Sequence, residues 1–160
     1  MIELDLERKI ADSLNALGID GLVIFGNLLP VPSGIVAGEE APTYNIEASV
    51  AVQVRSSSEF GWLCPLDFGC SIGITLRADV FPTAAEVAPV MGRVFDMVTG
   101  WAREIDGVGP ASPLDTETFT PGGIRLDGGS GPRFDLDSCA WRASINFTVR
   151  GRIKLNEEVN

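Results

Sequence analysis

From Trp141 to Val149 the chain alternates without a break, Trp141, Ala143, Ile145, Phe147 and Val149 against Arg142, Ser144, Asn146 and Thr148. Successive side chains of an extended strand point to opposite faces, so a period of two fits a strand with one buried and one wet face. Two other stretches repeat the pattern. Ile46, Ala48, Val50, Val52 and Val54 alternate with Glu47, Ser49, Ala51 and Gln53, and Ile72, Ile74 and Leu76 alternate with Ser71, Gly73, Thr75 and Arg77. These two are expected to pair as a wide hairpin. A sheet built from such strands is apolar on one side and needs an apolar cover there.

Helical spacing supplies that cover. Leu6, Ile10, Leu14 and Leu17 recur at four, four and three, with Glu7, Arg8, Asp12 and Asn15 in other directions, and Gly18 follows as a left-handed stop. A short apolar strand, Leu22 to Phe25, comes next and ends at Gly26 and Asn27. A second helix is predicted from Met91, Val94, Phe95, Val98, Ala102 and Ile105. Thr83 and Glu86 have capping-box spacing before it. Pro89 leaves two readings open: a helix kinked at that residue, or one that starts there after a short turn.

Between these elements lie irregular loops near 29–43, 56–69 and 107–123, each broken by Gly, Pro or Ser. The second carries Phe60, Trp62 and Phe68, expected to cover the core, and the third is expected to be a mobile connection. Ile124 to Asp127 reads as a short strand turned by GGSGP, and Gly151 as a bend or bulge in the last strand. With no internal repeat, residues 1–160 read as a single α+β domain. Its predicted architecture is a mixed or antiparallel sheet of about four to five strands with two helices packed on one face.

Histidine is absent, which removes the commonest general base, the commonest neutral metal ligand and every Ser-His or Cys-His nucleophile. Only Lys9, Lys154 and Tyr44 remain for Lys- or Tyr-based chemistry. Twenty-two acidic residues against twelve basic ones give a net charge of −10, and ten of the twelve are Arg. That balance opposes nonspecific binding to nucleic acid or to an anionic membrane. The N-terminal MIELDLERKI lacks a basic start and an apolar stretch, so a cytosolic chain is expected. Cys64, Cys70 and Cys139 form no CxxC pair; Cys64 and Cys70 could close a small loop, but buried thiols in a reducing compartment fit their apolar neighbours better.

The run DGGSGPRFDLD matches the opening of a calcium-binding nonapeptide, yet Arg133 stands where a liganding Asp belongs. Asp127, Asp135 and Asp137 could hold a hard cation only if their loop folded back, and a hairpin turn with solvated carboxylates is the simpler reading. Ser130 in GGSG has no histidine to activate it, and Pro132 replaces the closing Gly of a nucleophile elbow. Paired carboxylates could still support hydrolysis, but nothing selects Glu47 over Asp79 or Asp127. Trp101 and Trp141 lie beside Arg103 and Arg142, a combination common at interfaces; Trp141 is expected in the core and Trp101 partly exposed. No catalytic, cofactor-binding or metal-ligating residue is assigned, and no cofactor is called for.

In element order the chain resembles the tail terminator, or tail completion, proteins of long-tailed phages. The resemblance is carried by LERKIADSLNAL, YNIEASVAVQV, ITLRADVFPTAAEVAPVMGRVFDMV and AWRASINFTVRG, which together span most of the chain. It implies a non-enzymatic virion protein, made in the host cytoplasm, whose copies form a homohexameric ring. That ring would cap the tail tube and dock to the neck, with tube and neck proteins as partners. An acidic ring would also repel DNA passing through it. The Pro-rich excursion from Leu29 to Thr43 and the loop from Ser56 to Gly69 depart from the smaller members. A small ligand-binding or assembly domain, and a carboxylate-dependent hydrolase, are the alternatives.

Overall fold

A computed structural model describes residues 1–40, 42–56, 66–103 and 107–154. Two helices, α1 (Ile2–Ala16) and α2 (Ala84–Arg103), accompany five strands. The strands are β1 (Leu22–Gly26), β2 (Ile46–Ser56), β3 (Leu66–Arg77), β4 (Phe119–Asp135) and β5 (Ala140–Ile153). They form one sheet in the order β1-β2-β3-β5-β4, antiparallel except for the β1–β2 pair. The α+β architecture with two helices over a five-stranded sheet is therefore the observed one.

The predicted hairpin sets Ile46 opposite Leu76, Val50 opposite Ile72 and Val54 opposite Phe68. β5 continues the apolar stripe by placing Ile145 beside Ile72 and Val149 beside Phe68. One sheet face thus collects Ala48, Val50, Val52, Phe68, Ile72 and Phe147, all buried. α1 covers β1 and β2, whereas α2 covers β4 and β5. Leu6, Ile10 and Leu14 of α1 and Val87, Met91, Val94 and Val98 of α2 complete the core. Each such fully buried aliphatic side chain contributes roughly 1.5–3 kcal/mol.

Several expectations are corrected. Glu7, read as lying off the apolar stripe of α1, is fully buried. One helical step beyond Leu6, it faces the chain leaving β1, where its Oε1 accepts the Leu28 amide at 3.1 Å and fills the space beside Gly26. Trp101 is buried too, its ring edge-on to Phe147 at 6.0 Å between centroids. Trp141 is half-buried, with its indole N–H donating to the Phe81 carbonyl at 2.9 Å. Cys139 is exposed in the β4–β5 turn at φ 51°, unlike the buried Cys70, whose thiol burial pushes up to about 12. Cys64, Phe60 and Trp62 lie outside the described residues.

Pro89 lies within a continuous α2, which starts at Ala84 as the backbone amides of Glu86 and Val87 close onto the Thr83 carbonyl. β3 begins at Leu66, inside the stretch read as loop, and places Phe68 in the core. The largest difference is β4. Residues read as loop, short strand and GGSGP turn form one long strand along β5, interrupted by register shifts at Pro121/Gly123, Leu126/Gly128 and Ser130/Arg133. Finally, the 27–45 connection joins parallel neighbours, which cannot be linked by a tight turn and need a crossover of a dozen residues or more.

Candidate assembly surface

With the helices on one side, no other described helix or strand covers the opposite face of the sheet, called the open face below. Along β5 it presents Arg142, Ser144, Asn146, Thr148 and Arg150, and β3 adds Ser71, Gly73 and Thr75. The missing side chain at Gly69 matters here. Arg55 of β2 lies across that glycine, where a Cβ would collide with its Nε, and reaches Asp127 of β4 at 3.5 Å. Asp127 also accepts bonds from the Thr148 hydroxyl and from Arg125 Nε at 2.9 Å. Beside this cluster Arg150 grips Asp67 with two bonds of 2.7 and 3.0 Å. Ion pairs thus tie four strands together across the open face.

The Thr148 hydroxyl bond, reinforced by Arg125 and Arg55, holds the Asp127 carboxyl below the usual Asp range. Asp135 is lowered as well, first by the Ser138 hydroxyl, then by the Asp137 amide and Arg142. A depressed folded-state pKa stabilises the fold fully above the ordinary Asp value, about 3.9, and that contribution disappears as pH falls through the folded value. Thermal melts should therefore show stability dropping from about pH 4 downward, more steeply in the wild type than in Asp127→Asn, which keeps only the Asp135 share. Parallel curves for the two proteins would count against the assignment.

Asp127, Asp135 and Asp137 do not converge. Asp127 and Asp135 lie eight residues apart on one strand, roughly 26 Å at the strand rise before the register shifts shorten it, and each is engaged by its own partners. Asp135 organises the β4–β5 turn through Asp137 N at 3.2 Å and Ser138 Oγ at 2.8 Å. Among the described residues no group of three or more Cys, Asp or Glu side chains could hold a metal ion. Ser130 faces Ser144 at 3.2 Å. Glu47 lines a shallow groove on the open face with Phe25, Ser49, Thr75 and Arg142, while Asp79 pairs with Arg77 beside the end of β3.

Carboxylates do gather where sequence reading named none. Asp5 and Asp12 of α1 share a surface groove with Asp115, Glu117, Lys9 and Lys154. Asp5 is occupied by the Thr118 hydroxyl at 2.7 Å, and Asp115 by the Lys154 ammonium at 3.0 Å. A hollow of about 530 Å³ lies between the end of α1, α2 and the 107–113 turn; Leu17, Met97 and Trp101 line it, and Arg93 at its side is tied to the Leu17 carbonyl. It is a surface hollow beside the helices, not a pocket between them and the sheet. No described helix is long and apolar enough to cross a membrane.

No family model matches this chain, and neither does any curated protein. Its fold is shared with a chain of a solved structure described as the virion of a native gene transfer agent (GTA) particle. The two align with a TM-score of 0.55 over 91% of this chain and 93% of that one, at 16% sequence identity. The likeness is one of fold, and it extends over nearly the whole of both chains.

Proposed function

We propose that this chain is a structural virion subunit of the tail terminator kind, a single domain whose copies close into a ring that caps a tail tube and docks to the neck. The observation that carries the reading is the whole-length fold shared with a chain of a gene transfer agent virion. The element order that resembles tail terminators supports it, as does an open, ion-paired sheet face suited to contact with other protein surfaces. On this reading the copies assemble after synthesis in the host cytoplasm, six to a ring as in the family resembled.

Size-exclusion chromatography with light scattering tests it, alone and with a tail tube protein, followed by electron microscopy. A closed ring of identical copies is the expected result. A strict monomer that ignores the tube protein would sink the reading.

A further inference from the structure

We infer that the crossover leaving β1 is a strap that unlatches at its root, Leu28 and Leu29, while sheet and core stay folded, and that the buried carboxyl group of Glu7 is its latch. The inference concerns a movement within one copy and is independent of the ring reading above. It starts from how little holds the strap. From Asn27 to Glu40 no residue is buried, and only Leu29 and Pro32 are half-buried. Segments with few buried apolar contacts open at a small cost in free energy, well before the core elements do. β2 and β3 are such core elements, with Ile46, Ala48, Val50, Ile72 and Ile74 all buried.

The latch is built over the missing side chain of Gly26, the last residue of β1. A Cβ there would collide with Glu7 Oε1 and stand 2.8 Å from Leu29 Cδ1, so the glycine lets the carboxyl group and the Leu29 side chain converge at the end of the strand. Glu7 Oε1 accepts the Leu28 amide at 3.1 Å, which ties the root of the strap to α1. The helix cannot follow the strap outward. Leu6, Ile10 and Leu14 on either side of Glu7 are fully buried and fix α1 to the core.

The same carboxyl group also favours opening. Glu7 is fully buried, and its second oxygen, Oε2, has no hydrogen-bond partner among the described residues. Keeping an unpaired polar oxygen from water costs free energy, and a carboxyl group is among the costliest side chains to bury. Unlatching admits water to Oε2 and relieves that penalty, while it gives up one hydrogen bond and the cover of Leu29. Closed and open forms are thereby brought near in free energy, and the Glu7–Leu28 bond decides between them.

Native-state hydrogen exchange of the full chain, followed amide by amide by NMR, tests the strap. In the wild type the Leu28 amide should exchange by local opening, about tenfold or more faster than the paired amides in the middle of β2 and β3, which await global unfolding. Glu7→Leu fills the same space but accepts no bond. It should speed Leu28 exchange by about a further tenfold and leave the β2 and β3 amides as slow as before or slower, because the unpaired oxygen is gone. Glu7→Gln keeps an acceptor and should hold Leu28 near its wild-type rate. Replacing a residue that merely filled the core would move strap and core amides together. Leu28 exchanging in step with β2 and β3 in the wild type, a comparison that needs no variant to fold, would overturn the strap. Equal Leu28 rates in the wild type and Glu7→Leu, or equal rates in the Leu and Gln variants, would overturn the latch.

Discussion

Phe147→Ala should lower stability by about 3–5 kcal/mol, seen in urea denaturation as a fall in midpoint with little change in slope. The size follows from position. Phe147 is fully buried on β5, between Cys70 of β3 and Leu126 of β4, and its ring takes the edge of Trp101 from α2. Truncation removes one of the contacts that join the second helix to the sheet and leaves a hole that the surrounding strands cannot close. Phe147→Leu, which retains most of the volume, should lose clearly less. A loss below about 1 kcal/mol for the alanine variant would mean that the core closes over the missing ring.

Gly151→Ala should be nearly as damaging, about 3 kcal/mol, at the upper end of what overpacking usually costs. Gly151 is buried in β5, flanked in register by Leu66 of β3 and Pro121 of β4. Phe119 is fully buried and occupies the space a side chain would need, its Cε1 only 2.9 Å from where the Cβ would stand. The Thr120 carbonyl blocks the same site. Backbone cannot rotate away as a side chain can, so the methyl would push the start of β4 off β5. Amide exchange should rise first in β4, and unchanged protection there would contradict the argument.

These two sites show what sequence could and could not disclose. Phe147 was legible, because the period of two that runs through β5 states which residues face inward. The helical stripes of α1 and α2 were legible for the same reason, although Glu7 was misplaced. A polar residue beside Leu6 reads as wet unless one knows that the crossover returns over it. Gly151 was visible only as a local irregularity, since its purpose is to make room for Phe119, more than thirty residues earlier. β4 was hidden more deeply. Gly, Ser and Pro are turn residues by every local rule, and the segment is extended only because β5 offers a long partner along its whole length.

The polar surface was the least legible part. Arg55, Asp67, Asp127, Thr148 and Arg150 come from four strands, and their pairing depends on register and on the empty space over Gly69. Nothing in the spacing of these residues along the chain announces that they meet. The parallel β1–β2 pair was equally silent, because its direction is decided by a crossover with no periodic pattern of its own. Local patterns therefore disclosed the core, whereas the surfaces that would contact other molecules emerged only from the assembled sheet.

The three register shifts in β4 carry one more consequence. An outer strand of 17 residues exposes a row of unpaired backbone groups, which is the usual starting point for strand-to-strand stacking into endless fibrils. Here Pro121 and Pro132 remove two donors, the shifts break the row into short pieces, and Arg125 and Arg133 place charge along it. The strand can complete a sheet without extending one. For a protein whose work would be to finish a polymer, an edge that refuses further strands keeps its own growth finite.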